Sequence, residues 1–145
     1  MKDASLIHDL MHLRRLVYQC QFFMTKADRI IYGTPLVQEV MKVTMWFSRS
    51  YETKVPEDKV NSAEEASMWF TVFRMDIRAA VEENIIKFPK RKTKSTDPAE
   101  QVNSKKIEIV ELVAKIDNEL CRWRRSLTKG QDCVRCAPEG QGHNG

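Results

Sequence analysis

Four stretches of the chain repeat apolar residues at helical spacing, and this pattern constrains the fold more than any other feature of the sequence. From Leu6 to Met24 the apolar positions are 4, 3, 4, 3 and 4 residues apart, and the same series recurs from Ile109 to Leu127. Two further stripes run over residues 37–51 and 66–85. Such spacing places side chains on one face of an α-helix. The sequence therefore predicts four amphipathic helices and an all-α fold.

Capping and breaking residues separate the four stripes. Proline suits the first turn of a helix, and Ser, Thr or Asp can cap its free amide groups. A Ser or Thr followed three residues later by Glu forms a capping box. We expect a first helix over residues 4–27, a link over 28–33, a second helix from Thr34, a break at 54–58, a third helix behind the capping box Ser62–Glu65, and a fourth from Asp97 to Gly130.

Short connections between neighbouring helices favour antiparallel packing. We therefore expect one domain over residues 1–130, an up-down four-helix bundle, followed by a disordered, flexible tail over 131–145. Its core should be dominated by four aromatic residues, and Trp46, on a different face of the second helix, is a candidate for a subunit contact. The four are Trp69, Phe70, Phe73 and Trp123.

The composition narrows the class of protein. Charged residues make up 30% of the chain, and no apolar run reaches the length of a signal peptide or of a membrane span. The four cysteines do not form the framework of a small secreted protein. We expect a cytoplasmic protein with reduced thiols and no membrane contact.

Positive charge is concentrated late in the chain. Residues 1–86 carry 11 Lys and Arg against 12 Asp and Glu, whereas residues 87–129 carry 12 against 6. An excess of this kind attracts phosphate backbones, although a solvated loop and a favourable helix C-terminus would explain the same residues. The candidate nucleic-acid-binding residues form two stretches at opposite ends of the predicted fourth helix: Lys87, Lys90, Arg91, Lys92 and Lys94, and Arg122, Arg124, Arg125 and Lys129.

No motif for catalysis is found in the sequence, which has neither a phosphate-binding glycine loop nor a nucleophile elbow. We expect no catalytic residues, no cofactor and no metal. His8 and His12 have a spacing that could share a metal ion, but a solvent-exposed pair is the favoured interpretation. Cys133 and Cys136, with His143 behind them, form half of a possible zinc site, and two free thiols in a flexible tail are the favoured alternative.

Three segments together resemble a known family. They are residues 26–33, which lead into the second helix, the arginine-containing aromatic segment 66–80, and residues 116–123, which basic residues follow. The chain is similar in these segments to the accessory variability determinants of diversity-generating retroelements, and to related four-helix proteins encoded in ribosomal RNA intervening sequences. Thr25 stands where that family usually has proline, and Asp117 and Cys121 stand where it often has glycine.

The resemblance implies a homo-oligomer, a five-subunit barrel in that family, that binds a partner reverse transcriptase and RNA and assists error-rich synthesis of complementary DNA. It adds Arg74 and Arg78, in the aromatic segment, to the candidate nucleic-acid-binding residues. Our leading hypothesis is such a non-enzymatic accessory protein. The alternative is a structural or regulatory helical protein that makes protein contacts only.

Overall fold

The computed structural model describes residues 2–86 and 98–128, and the side chains of 5–86 and 106–128. All regular structure in these ranges is helical, which confirms the all-α prediction. Within them, none of the helices is both apolar enough and long enough to cross a membrane. The helices are α1 (Lys2–Gln21), α2 (Lys26–Asp28), a π-helical segment (Arg29–Gly33), α3 (Thr34–Glu52), α4 (Pro56–Glu82) and α5 (Pro98–Thr128).

The region between α1 and α3 differs from the prediction. Helix α1 ends at Gln21 and not at residue 27, and residues 28–33 are helical and not a link. Thr25, and not Thr34, caps the new helix, since its hydroxyl accepts a hydrogen bond from the Asp28 amide at 3.1 Å. A side chain can cap only where amide groups are free, and the π segment leads without interruption into α3. Thr34 therefore lies inside continuous helical structure, where there are no free amide groups for its side chain to cap.

Helix α4 begins at Pro56, six residues before the predicted capping box. Val55 is extended, as a residue before proline prefers, and Glu57 and Asp58 in the first turn interact favourably with the helix dipole. Ser62 lies buried inside the helix, so the predicted capping box is wrong. The sequence break is limited to residues 53–55.

The four long helices share one core. Each contributes fully buried apolar side chains, among them Leu10, Val40, Phe70 and Ile116. Helix α1 contacts α3 and α5, and α4 contacts α3 and α5. The predicted aromatic core holds for Phe70 and Phe73, whereas Trp69, Trp123 and Trp46 are partly buried at its edge. Met41, which the stripe placed inside, is 47% exposed.

Side-chain contacts between helices give the relative direction of neighbouring helices. Asp9 and His12 of α1 meet Lys115 and Glu108 of α5, so the order reverses between the two helices. Helices α4 and α5 likewise run in opposite directions, because Arg74 meets Asp117 and Asn84 meets Lys106. The predicted tail over 131–145 lies outside the described residues.

Candidate nucleic-acid interface

The C-terminal turns of α5 present three of the predicted cationic residues to solvent. Arg122, Arg124 and Arg125 are all exposed, on the last seven residues of the helix. Successive residues of an α-helix are rotated by about 100°, so the three side chains leave the helix in different directions. Extended polyanions could therefore contact this end of α5 from more than one side.

Trp123 fixes this end of α5 to the rest of the molecule. Its indole Nε1 donates a hydrogen bond to Oγ of the buried Ser50 at 2.8 Å, and its ring packs edge-on against Phe47 at 5.6 Å. Ser50 Oγ in turn donates to the carbonyl of Lys59 at 2.7 Å. The hydrogen bonds join α5 to the end of α3 and the start of α4. The neighbouring arginines thus extend from a fixed helix turn.

Lys59 completes the same network. Its ammonium group donates to the carbonyls of Ser50 and Tyr51, each at 3.1 Å, and lies 5.7 Å from the centre of the Trp123 ring. These carbonyls belong to the last turn of α3, where helix carbonyls lack internal partners and a cation is favourable. Lys59 is therefore committed to structure and is not a candidate for phosphate binding.

The charge at this end of the molecule is positive. Residues 49–59 and 122–128 together carry six Lys and Arg against three Asp and Glu. One turn earlier on α5, burial and then a hydrogen bond with Asp9 raise the pKa of Glu119 to about 7, although Lys115 and Arg122 act in the opposite direction. Glu119 is therefore partly uncharged near neutral pH. The reduced negative charge of Glu119 therefore offsets less of the positive charge of the α5 arginines.

Arg74 and Arg78 lie one turn apart on α4, at a groove between α4 and α5 with a volume of about 890 Å³. Arg74 forms an ion pair with Asp117 at 3.4 Å and lies 6.0 Å from the centre of the Phe70 ring. Arg78 is exposed. The groove has a largely aliphatic floor that includes Ile109 and Val113. Of this pair, only Arg78 presents a cation that has no acidic partner among the described residues.

The other predicted cations lie outside the described residues: Lys87, Lys90, Arg91, Lys92, Lys94 and Lys129. The described chain stops at Ile86, beside the contact of Asn84 with Lys106. Lys106 and Trp123 are 17 residues apart on α5, about 25 Å at 1.5 Å per residue. The last described residue before this gap, Ile86, is therefore near the end of α5 that is far from Trp123.

The histidine prediction is correct for one residue of the two. His8 is exposed, whereas His12 Nε2 lies 2.7 Å from Oε2 of Glu108 and joins α1 to α5. Among the described residues no group of three His, Cys, Asp or Glu side chains is arranged to hold a metal ion. Burial raises the pKa of the Cys20 thiol to about 12. Cys133, Cys136 and His143 lie outside the described residues.

The sequence analysis missed exposed aromatic residues near the end of α1. Tyr18, Phe22 and Phe23 are 44–58% exposed. Tyr18 and Phe22 contact each other edge-on, with ring centres 5.0 Å apart. Both residues fall off the apolar stripe of α1, which is the signal that could have located them.

Comparison of the chain with protein families, with curated proteins and with solved structures finds no match.

Proposed function

We propose that this chain is a non-enzymatic accessory protein that binds RNA and a reverse transcriptase and assists mutagenic synthesis of complementary DNA. The resemblance described above supplies the specific role. The observation that carries the RNA-binding part is the exposure of Arg122, Arg124 and Arg125 on a helix end that Trp123 anchors. Phosphate groups are the natural ligands of such arginines.

The proposal also covers the arrangement of the helices, the oligomeric state and the location in the cell. The opposite directions of α1 and α5, and of α4 and α5, support an up-down four-helix bundle. The resemblance adds a homo-oligomer of five subunits, and the cytoplasmic location is the expectation drawn from the apolar runs and cysteines of the sequence. Under this proposal the α5 arginines of several subunits would form one positively charged surface.

The test is binding of a structured RNA hairpin at several salt concentrations. Affinity should fall as salt rises, by about 0.7–0.9 logarithmic units per unit of log salt for each phosphate contact. Replacing Arg122, Arg124 and Arg125 with glutamine should weaken binding and reduce that slope by about 2 units, with an unchanged circular dichroism spectrum.

A matched control removes three exposed cations elsewhere. The variant R14Q/R15Q/K26Q changes the net charge by the same amount, on α1 and α2, and should keep its RNA affinity. Equal losses in both triple variants would show that net charge alone attracts RNA. Affinity that does not depend on salt would contradict the electrostatic part of the proposal.

The alternative, a helical protein that makes protein contacts only, is favoured by one observation. Several large apolar side chains of α1 and α3 are exposed, among them Tyr18 and Met45. Purification without nucleic acid, together with no RNA binding at low salt, would favour this alternative. A gene for a reverse transcriptase next to near-identical repeats would favour the first.

A further inference from the structure

Exposed apolar side chains are unevenly distributed over the described surface. Thirteen large hydrophobic residues are 44–67% exposed, and eight of them lie on α1, the turn after it, the π segment and α3. Contiguous exposed apolar patches on a protein surface mark interaction sites. The eight are Met11, Tyr18, Phe22, Phe23, Ile30, Ile31, Met41 and Met45.

The α1 members of this set share one flank of the helix. Asp9 and His12 mark the opposite flank, because both bond to α5. Met11 and Tyr18 are seven residues apart, which places them in one stripe at about 100–120° from His12, and Phe22, in the turn after α1, contacts the ring of Tyr18. That stripe is directed away from α5 and toward solvent.

The α3 members are exposed on the side of the helix away from the core. Lys42 lies 4.0 Å from the centre of the Trp69 ring, so its flank faces α4. Met41 is rotated by about 100° from Lys42 and Met45 by about 60°, both away from the buried Glu39. The two helices meet at Gly33, where an added Cβ would lie 3.1 Å from the Cβ of Gln21.

The distances from this junction along the two helices place the exposed residues of α1 beside those of α3. Met11 lies ten residues from Gln21 and Met41 eight from Gly33, so both are about 12–15 Å from the junction along their helices. We call the surface formed by the eight exposed residues the α1–α3 face.

Charge on the α1–α3 face is almost entirely positive. Residues 10–33, which contain six of the eight residues of the face, hold four Lys and Arg but only one Asp and no Glu. Arg14 and Arg15 flank the α1 stripe and are exposed, and Lys26 is exposed near the Ile30 end.

This combination is typical of a protein-binding surface. Met, aromatic residues and Arg are enriched in the centres of protein interfaces, and methionine-rich surfaces accommodate amphipathic helices. RNA is a poorer fit, since Ile30, Met41 and Met45 offer bases neither a stacking ring nor a hydrogen bond. A second copy docked by the same face would oppose like charges.

We propose that the α1–α3 face binds an amphipathic helix of a partner protein, with the partner's apolar stripe between α1 and α3 and its acidic residues against Arg14, Arg15 and Lys26. The inference deepens the proposed function, which requires a polypeptide partner, by assigning that partner a surface separate from the α5 arginines. A helix packs between two others at an axis distance of about 8–10 Å, a spacing that brings its flanking carboxylates within reach of the cations.

The test uses two synthetic amphipathic helical peptides with the same leucine stripe, one with glutamate and one with lysine beside it. The full chain should bind the glutamate peptide at least tenfold more tightly than the lysine peptide. The variants Y18S/F22S and M41S/M45S should each lower affinity for the glutamate peptide about tenfold. R14Q/R15Q/K26Q should lower it by a similar factor and make it less sensitive to salt.

A control variant, M75S/V110S, removes two equally exposed apolar residues from the α4–α5 groove and should bind the glutamate peptide like the parent chain. Equal binding of the two peptides, or an equal loss in the control, would overturn the proposal. Binding only to vesicles containing phosphatidylserine would also overturn the proposal and would assign the face to a membrane. A lower solution mass of Y18S/F22S than of the parent chain would overturn it as well and would assign the face to a second copy.

The peptide-binding assay and the RNA-binding assay test the two proposals separately. Replacement of the α5 arginines should leave peptide affinity unchanged, and the serine variants of the α1–α3 face should keep RNA affinity. Loss of RNA binding in Y18S/F22S would assign the face to nucleic acid. Loss of peptide binding in R122Q/R124Q/R125Q would place the partner on α5, and it too would overturn the inference.

Discussion

Glu39 is a carboxyl side chain at the α3–α4 contact, and it is 9% exposed. Burial, followed by a hydrogen bond with Asp76 and the charge of Asp76, raises the pKa of Glu39 to about 8, although Lys42 acts in the opposite direction. A protonated Glu39 can donate a hydrogen bond to Asp76, so the pair carries one negative charge and not two. The sequence gives no sign of this, because the spacing of Glu39 and Asp76 depends on how α3 and α4 pack.

Glu39→Gln should remove a large part of the pH dependence of stability. The pKa of Glu39 is higher in the folded chain than in the unfolded chain, so the stabilising protonated form is retained at pH 5 and lost as pH rises toward 8. We expect the variant to match the parent chain at pH 5 and to be more stable at pH 9 by about 1–3 kcal/mol. Urea denaturation at both pH values measures this.

A second carboxyl group serves as the control for the pH experiment. Glu52→Gln changes an exposed residue at the end of α3 and should leave the pH dependence as in the parent chain. Parallel curves for Glu39→Gln and the parent chain would show that Glu39 ionises in the folded protein without loss of stability. Glu119, whose pKa is also raised, accounts for pH dependence that remains in the Glu39 variant.

At the scale of elements, the connection from α1 to α3 is the most unusual part of the fold. Arg29 begins the π segment and donates hydrogen bonds to the carbonyls of Gln21 at 3.1 Å and Met24 at 3.4 Å. These are carbonyls at and after the end of α1, so the arginine closes that end. Gly33 ends the segment with a helical backbone, and its lack of a side chain serves close packing and not a turn.

Gly33→Ala should destabilise the chain by about 1–3 kcal/mol. An added Cβ would lie 2.9 Å from Sδ of Met24 and 3.1 Å from Cβ of Gln21, so α1 and the π segment must separate. In an open helix the same change stabilises by up to about 1 kcal/mol, so the sign of the result is informative. A stability gain in thermal denaturation would contradict the close approach.

The stripes and the prolines predicted the long helices, because periodicity and restricted backbone angles are local properties. Pro98 marks the start of α5, next to the predicted Asp97, whereas Pro56, which was expected inside a break over 54–58, begins α4. Local signals failed where two of them competed: Ser62 and Glu65 match a capping box, but Pro56 begins the helix first. The extension of helical structure through residues 28–33 depends on Arg29 and Gly33 packing against α1, which no local pattern contains.

At the scale of the whole molecule, one polar network joins three helices beside the candidate RNA-binding end. It runs from Trp123 of α5 through Ser50 of α3 to Lys59 of α4. The sequence predicted Trp123 as a core residue and located the exposed arginines beside it. The sequence could not predict Ser50 as the hydrogen-bond partner of Trp123, because nothing in the residues around Ser50 indicates a contact with α5.

Ser50→Ala should lower the free energy of unfolding by about 1–3 kcal/mol, since the Trp123 indole N–H loses its acceptor. The effect should be smaller in a Trp123→Phe background, where that donor is already absent. Urea denaturation of the two single variants and the double variant gives the coupling energy. Additive effects would show that the hydrogen bond between the two side chains makes no contribution.

The π-helical segment also affects how this chain should be compared with others. A π turn holds one more residue than an α turn, so Arg29–Gly33 behaves as a single-residue insertion in an otherwise regular helix. A homologue without it would match this chain on both sides only if its alignment contains a one-residue gap between positions 29 and 33. Aligned without that gap, every exposed position of α3 would be paired with a neighbour rotated by about 100° around the helix.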